Sequence, residues 1–232
     1  MRDNKKWICL VVATVVCILV MAPQSRATPL AGTVLTDPGS TVLPGLVAPG
    51  TDPGTLLASL VSPFSFTTTA GGTTSGVLST AVYQNPSGTL DFYYQVMDNA
   101  TSTTQISRET NTNFAGFTTW TGFRVDALGP FLAGTVLPVT DDRNSSGTVV
   151  GFSFTPPDSA AIAPGSTSAV FLISTNATNF TAGNAAVIDG GTETLAAFQP
   201  TSPSAPVPEP ATMLLLGSGL IGLVGFRRKF RK

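Results

Sequence analysis

Leu90-Asp91-Phe92-Tyr93-Tyr94-Gln95-Val96 is the stretch that most limits what this chain can become. Leu90, Phe92, Tyr94 and Val96 fall on one side of an extended chain, and Asp91, Tyr93 and Gln95 on the other. A period of two is what a strand with one buried and one solvated face requires, and an amphipathic helix cannot use it. Val150, Phe152 and Phe154 repeat the pattern, and Phe123, Val125 and Ala127 alternate with Arg124 and Asp126. Ala169 to Thr175 is more continuously apolar and suits a central strand. Turn-forming residues separate these runs, at Asn85-Pro86-Ser87-Gly88, Asp142 to Gly147, Ala163-Pro164-Gly165 and Asp189-Gly190-Gly191. Outside the tails no window carries a helical stripe. The expectation is an all-β domain over residues 61–200, an antiparallel β-sandwich of jelly-roll or immunoglobulin-like winding. A domain of about 140 residues buries roughly two thirds of its unfolded surface, enough for one core without disulfides. Upstream, residues 28–60 hold Thr-Asp-Pro-Gly twice, at 36–39 and 51–54. They read as turns and extended segments, part of which could pair as an edge strand.

Charge narrows the function classes. The chain has 12 Lys+Arg and 13 Asp+Glu, but the signs are segregated. Between Thr28 and Phe226 the basic residues are Arg108, Arg124 and Arg143 alone, against twelve acids, a net charge of 3 − 12 = −9. Nucleic acid is not an expected partner, since phosphate binding needs clustered Lys and Arg. The chain has no His, and Cys9 and Cys17 both sit in an N-terminal apolar run. His-based acid–base catalysis, His-dependent nucleophile systems and Cys/His zinc sites are therefore excluded. No cofactor is expected.

The two ends read as addresses. Charged residues up to Lys6 precede an apolar run from Trp7 to Met21, and Ser25 and Ala27 supply the small residues of a cleavage site. Residues 1–27 are expected to be a signal peptide with a signal helix, cut after Ala27. At the other end, residues 201–210 form a Pro-rich linker that includes Pro206-Val207-Pro208-Glu209-Pro210. Ala211 to Phe226 is uncharged and apolar, and residues 227–232 add five positive charges. Sixteen residues at 1.5 Å each reach about 24 Å, a short transmembrane helix whose basic end stays cytoplasmic.

Val-Pro-Glu-Pro-Ala at 207–211, the apolar segment, and Arg227-Arg228-Lys229 together resemble the PEP-CTERM sorting signal. The resemblance implies an exported protein of a Gram-negative bacterium, held for a time in the inner membrane. It implies an exosortase-type membrane enzyme as partner, which reads Pro208-Glu209-Pro210 and cuts nearby. It further implies a body released to the cell surface or the extracellular matrix. A structural or adhesive role within an exopolysaccharide or biofilm is the matching expectation, with no enzyme activity. The alternative is an extracellular carbohydrate-active enzyme, or a permanently anchored carbohydrate-binding module. Such an enzyme needs two carboxylates about 5–9 Å apart in a cleft. Asp91, Asp98, Glu109, Asp126 and Asp158 are available, and the sequence pairs none of them.

Within the body, Tyr93 and Trp120 are the candidate ligand contacts, because sugar rings stack on exposed aromatics. Tyr93 lies opposite Phe92 and Tyr94 and is expected to face solvent. Asp141, Asp142 and Asn144 precede Gly147, as oxygen ligands do in calcium loops. They lack the alternating acidic spacing and the final bidentate Glu, so the stretch also reads as a polar hairpin tip. Arg124 and Asp126 read as a surface ion pair. Asn99, Asn144, Asn176 and Asn179 begin N-glycosylation triplets, a frequent coincidence in a Thr- and Asn-rich chain.

Overall fold

Strands dominate because the apolar residues recur every second position and Gly, Asn and Pro interrupt them at short intervals. The computed structural model describes residues 33–202. The signal segment with Ala27, the Pro208-Glu209-Pro210 motif, the apolar segment 211–226 and Arg227, Arg228 and Lys229 lie outside the described residues. The described residues form thirteen strands: β1 Thr33–Val34, β2 Thr41–Val42, β3 Gly45–Leu46, β4 Thr55–Thr67, β5 Thr73–Gln84, β6 Leu90–Asp98 and β7 Arg108–Asn111 come first. They are followed by β8 Thr119–Arg124, β9 Thr140–Arg143, β10 Val150–Ser153, β11 Val170–Thr175, β12 Asn179–Ile188 and β13 Thr192–Thr201. The one described helix is a single 3-10 turn at Asp158–Ala160. Among the described residues no helix is long and apolar enough to cross a membrane.

The strands form two sheets. The seven-stranded sheet runs β1-β8-β11-β6-β5-β4, with β3 lying parallel beside β8. The six-stranded sheet runs β13-β12-β7-β10-β9-β2. Every other pairing is antiparallel. The predicted turns form where Asn and Gly allow them. Asn85 and Asn144 each accept a backbone N–H with their own side chain, from Ser87 at 3.0 Å and from Val149 at 2.9 Å. Gly147 closes the second turn at φ +71°, a conformation that a side chain would strain.

The sheets share one core. Phe171 of β11 lies 4.5 Å from Phe152 of β10 and 6.0 Å from both Tyr94 and Phe154, centroid to centroid. Phe92 meets Phe114 edge to face. Leu78, Val82, Leu90, Val96, Ile173 and Val187 complete the contact. The sheets also meet along one margin, where β4 and β13 are both edge strands. The Ser62 hydroxyl donates to the Ala196 carbonyl (2.8 Å) and the Ser65 N–H to the Glu193 carboxylate (2.7 Å). Pro63 and Pro200 lie in these two strands, the positions at which sheets admit proline.

Three expectations need correction. The sheets begin before residue 61: β4 starts at Thr55, and β1 to β3 pair from within residues 33–46. Local alternation could not show this, because β1 to β3 are two residues each and are fixed by their partners. The strand expected through Ala127 ends at Arg124. Finally, β6 is not half-buried: Asp91, Tyr93 and Gln95 are as enclosed as Phe92 and Tyr94. A further layer of chain covers the outer face of the seven-stranded sheet.

Candidate functional site

That covered face gathers most of the residues singled out in the sequence. Register places Tyr83, Asp91, Ser174 and Trp120 in one row across β5, β6, β11 and β8. The next row is Ala81, Tyr93, Leu172 and Gly122. In a third, Ser79 pairs with Gln95 and Val170 with Arg124. A sheet face with this many polar groups packs best where they find partners, and two loop segments supply several of them.

The Arg124 guanidinium grips both oxygens of Asp126, at 2.8 and 2.6 Å, and donates to the Thr51 carbonyl at 3.2 Å. Asp126 also accepts the Gly50 N–H at 3.0 Å. One ion pair thus ties residues 50–51 and the chain after β8 to the sheet. The Arg124 side chain is 2 % exposed and that of Asp126 26 %, so this bidentate pair is buried on its arginine side, unlike the surface pair expected. Arg124 holds the Asp126 carboxyl far below the usual carboxylate range. Gln95 acts similarly: its amide donates to the carbonyls of Leu132 (2.8 Å) and Ser168 (3.0 Å) and accepts the Leu132 N–H (3.0 Å). The Tyr83 hydroxyl donates to the Gly129 carbonyl.

Beneath this cover Tyr93 is fully buried, with Tyr83 5.0 Å away and Phe131 6.3 Å away by ring centroid. It cannot stack on a sugar. Its predicted exposure fails because alternation distinguishes two faces but not which of them a loop will cover. Trp120, which pairs with Val34 of β1 at the far side of its row, is half-exposed. Asp91 accepts the Ser174 hydroxyl at 2.5 Å and an Asn85 amide N–H at 3.3 Å, while its second oxygen has no partner. Burial pushes its carboxyl up to about 6. The row therefore combines a buried carboxyl raised by its burial with a partly exposed indole. Beyond the Ala81–Tyr93 row, away from Asp91, is a groove of about 260 Å³ between β5, β6 and Pro130 to Leu132.

The other carboxylates are dispersed. Glu109 and Asp141 point into the core, one on each side of Phe152 in the row Val187, Glu109, Phe152, Asp141, Val42. Glu109 accepts the Asn111 amide at 2.8 Å, and burial holds its carboxyl well above the ordinary value. Asp141 accepts the Thr121 hydroxyl from the opposite sheet, and burial pushes it up to about 7. Asp98 ends β6, raised to about 6 by burial and further by nearby Asp189. Asp158 is exposed in the 3-10 turn.

The candidate metal set is not assembled. Asp141 and Asp142 lie on opposite faces of β9: the first enters the core, and the second grips Arg108 at 2.5 and 2.8 Å. Asn144 is occupied in its own turn. Among the described residues no three His, Cys, Asp or Glu converge. The sequence reading also missed Arg143. Buried at 3 % exposure, it donates to the carbonyls of Thr36, Phe114, Phe117 and Gly147, binding three loop segments together. Its place beside an acidic hairpin tip suggested solvent; the only signal for burial was the rarity of Arg in this body.

No curated protein and no solved structure matches the chain. The family model of the PEP-CTERM protein-sorting motif does match, at residues 206–229. The chain thus carries, on Pro208-Glu209-Pro210 and the run to Lys229, a PEP-CTERM protein-sorting motif, which implies export and membrane-associated processing by an exosortase.

Proposed function

We propose that the protein is an exported cell-surface or matrix component whose β-body works by structure and adhesion, in an exopolysaccharide or biofilm setting. The sorting motif at residues 206–229 carries this reading. A signal peptide cut after Ala27 starts export. The apolar segment 211–226 holds the product in the inner membrane with Arg227, Arg228 and Lys229 inside, and the exosortase cuts near Pro208-Glu209-Pro210. The body is a β-sandwich, and its repeated crossing between sheets from β6 to β12 favours a jelly-roll-like winding over an immunoglobulin-like one. A non-catalytic role is supported by the fate of the carboxylates: Glu109 and Asp141 lie inside, and Asp126 is held by Arg124. If the body touches polysaccharide, half-exposed Trp120 is the residue placed to do so.

Intact-mass analysis of the protein from its native host tests the delivery reading. A species beginning at Thr28 and ending near residue 210 is expected, and Glu209→Ala should accumulate a longer form that retains the basic tail. A mature surface species that still carries Phe226 to Lys232 would refute it. For the body, Trp120→Ala should lower retention on native exopolysaccharide without changing the circular dichroism spectrum; unchanged retention would remove Trp120 from the role.

A further inference from the structure

Asp98 is the least expected side chain in the body. It closes the inward row of β6 after Val96 and is 1 % exposed. Neither of its carboxylate oxygens has a well-aligned hydrogen bond, although Ser102 and the Asn99 N–H lie close enough to offset part of the effect of burial. The two donors beside it are turned elsewhere: the Ser102 hydroxyl donates to the Ser75 carbonyl at 3.0 Å, and the Asn99 N–H donates to the same oxygen at 2.9 Å. Its partner across the ladder is Gly76, where a Cβ would meet the Met97 carbonyl at 2.0 Å and the Phe64 ring at 2.6 Å. The Phe64 ring fills the place opposite the carboxylate and offers it no polar partner.

Oxygen atoms surround this end of the sheets. Asp189 approaches from the turn between β12 and β13, and its carboxylate accepts the Thr74 hydroxyl at 3.3 Å. Thr74 is itself fully buried, 2.5 Å from the Thr104 hydroxyl. An uncompensated buried carboxylate is expensive, and a second one nearby makes it more so. The body cannot supply a counter-charge. Between Thr28 and Phe226 there is no Lys or His. Arg108 is bound to Asp142, Arg124 to Asp126, and Arg143 to four carbonyls.

We propose that Asp98, Asp189, Thr74 and Thr104 form a binding site for a calcium ion at this end of the two sheets. Every donor is oxygen, the ligand type of hard cations, and with no His or Cys the site gives nothing to zinc or copper. Two carboxylates balance the ion's charge, and water completes a shell of six to eight oxygens. The ion bridges the end of β6, the start of β5 and the β12–β13 turn, and so joins the two sheets where the apolar core stops.

The test titrates calcium alone into the full chain in detergent after chelator treatment. One ion per chain is expected, with Kd on the order of 10⁻⁴–10⁻³ M, the range of extracellular calcium modules. Asp189→Asn, in a half-exposed turn, should weaken binding at least tenfold with the far-ultraviolet circular dichroism unchanged. Asp98→Asn should do the same, and Asp158→Asn, at an exposed position outside the cluster, should leave the affinity as it was. No binding at calcium concentrations well above that range would overturn the proposal. So would magnesium binding tighter than calcium, or Asp189→Asn binding like the parent chain.

Discussion

Asp141→Asn should make this protein more stable at alkaline pH and reverse the effect in acid. Asp141 sits on the inward face of β9 beside Phe152, with Val42 on its other flank and Thr121 reaching it from the opposite sheet. No cation faces it; its neighbour Asp142 and its own burial both favour the protonated form. The carboxyl titrates at about 7 in the fold instead of 3.8. A raised carboxyl means the folded state holds its proton longer than the unfolded chain does. Stability is then greatest below the unfolded value and declines as pH rises toward the folded one. Rounding the interval to about 3 pH units at 1.36 kcal/mol each, the loss between about pH 4 and pH 8 comes to about 4 kcal/mol. Asn keeps the volume and an oxygen for Thr121 but cannot ionise, so the variant should lack this part of the decline. Urea unfolding at several pH values, followed by Trp120 fluorescence and circular dichroism, measures it. If the variant loses as much stability as the parent across this range, the carboxyl is not the source and the reasoning fails.

Three further outcomes follow from the packing. Arg143→Met leaves four carbonyls without their donor, two of them buried and two half-buried, and should cost about 3 kcal/mol, or roughly 6–12 °C in Tm for a domain of this size, read by calorimetry. Arg143→Lys should not restore it, because one ammonium cannot replace a planar fork that serves four oxygens. Phe171→Ala removes the ring that Phe152, Tyr94 and Phe154 all touch, with an expected loss of about 3–5 kcal/mol in urea unfolding. Arg124→Gln should release residues 50–51 and the chain at Asp126 from the outer face: hydrogen exchange there should quicken while β6, β11 and Leu132, held by Gln95, stay protected.

The strands that hydrophobic alternation could reveal were those with apolar residues to alternate. β6, β10 and β11 follow the pattern of Leu90 to Val96, Val150 to Phe154 and Ala169 to Thr175. β7 is Arg-Glu-Thr-Asn and β9 is Thr-Asp-Asp-Arg, with no apolar residue in either, yet both turn polar side chains into the core. Nothing local announces such strands; they exist because β10 lies between them and pairs with both. The same limit applies to the outer face of the seven-stranded sheet. Its period of two was legible, but the cover over Tyr93 depends on Arg124 reaching an Asp126 that lies beyond the end of β8. Asp98 escaped notice for a related reason: its isolation is a property of three segments converging. The sorting motif was legible because it is continuous in sequence.

The placement of the three arginines also decides how the body meets secreted proteases. Enzymes that cut after basic residues have only Arg108, Arg124 and Arg143 to recognise between Thr28 and Phe226. All three lie within strands and are gripped by carboxylates or carbonyls. A trypsin-like cleft needs an extended, accessible segment, and each site offers one only when its sheet opens. The folded body is then cut by this protease class only as fast as its sheets open. Once unfolded it falls into four pieces, with cuts after residues 108, 124 and 143, so the appearance of those fragments would report opening directly.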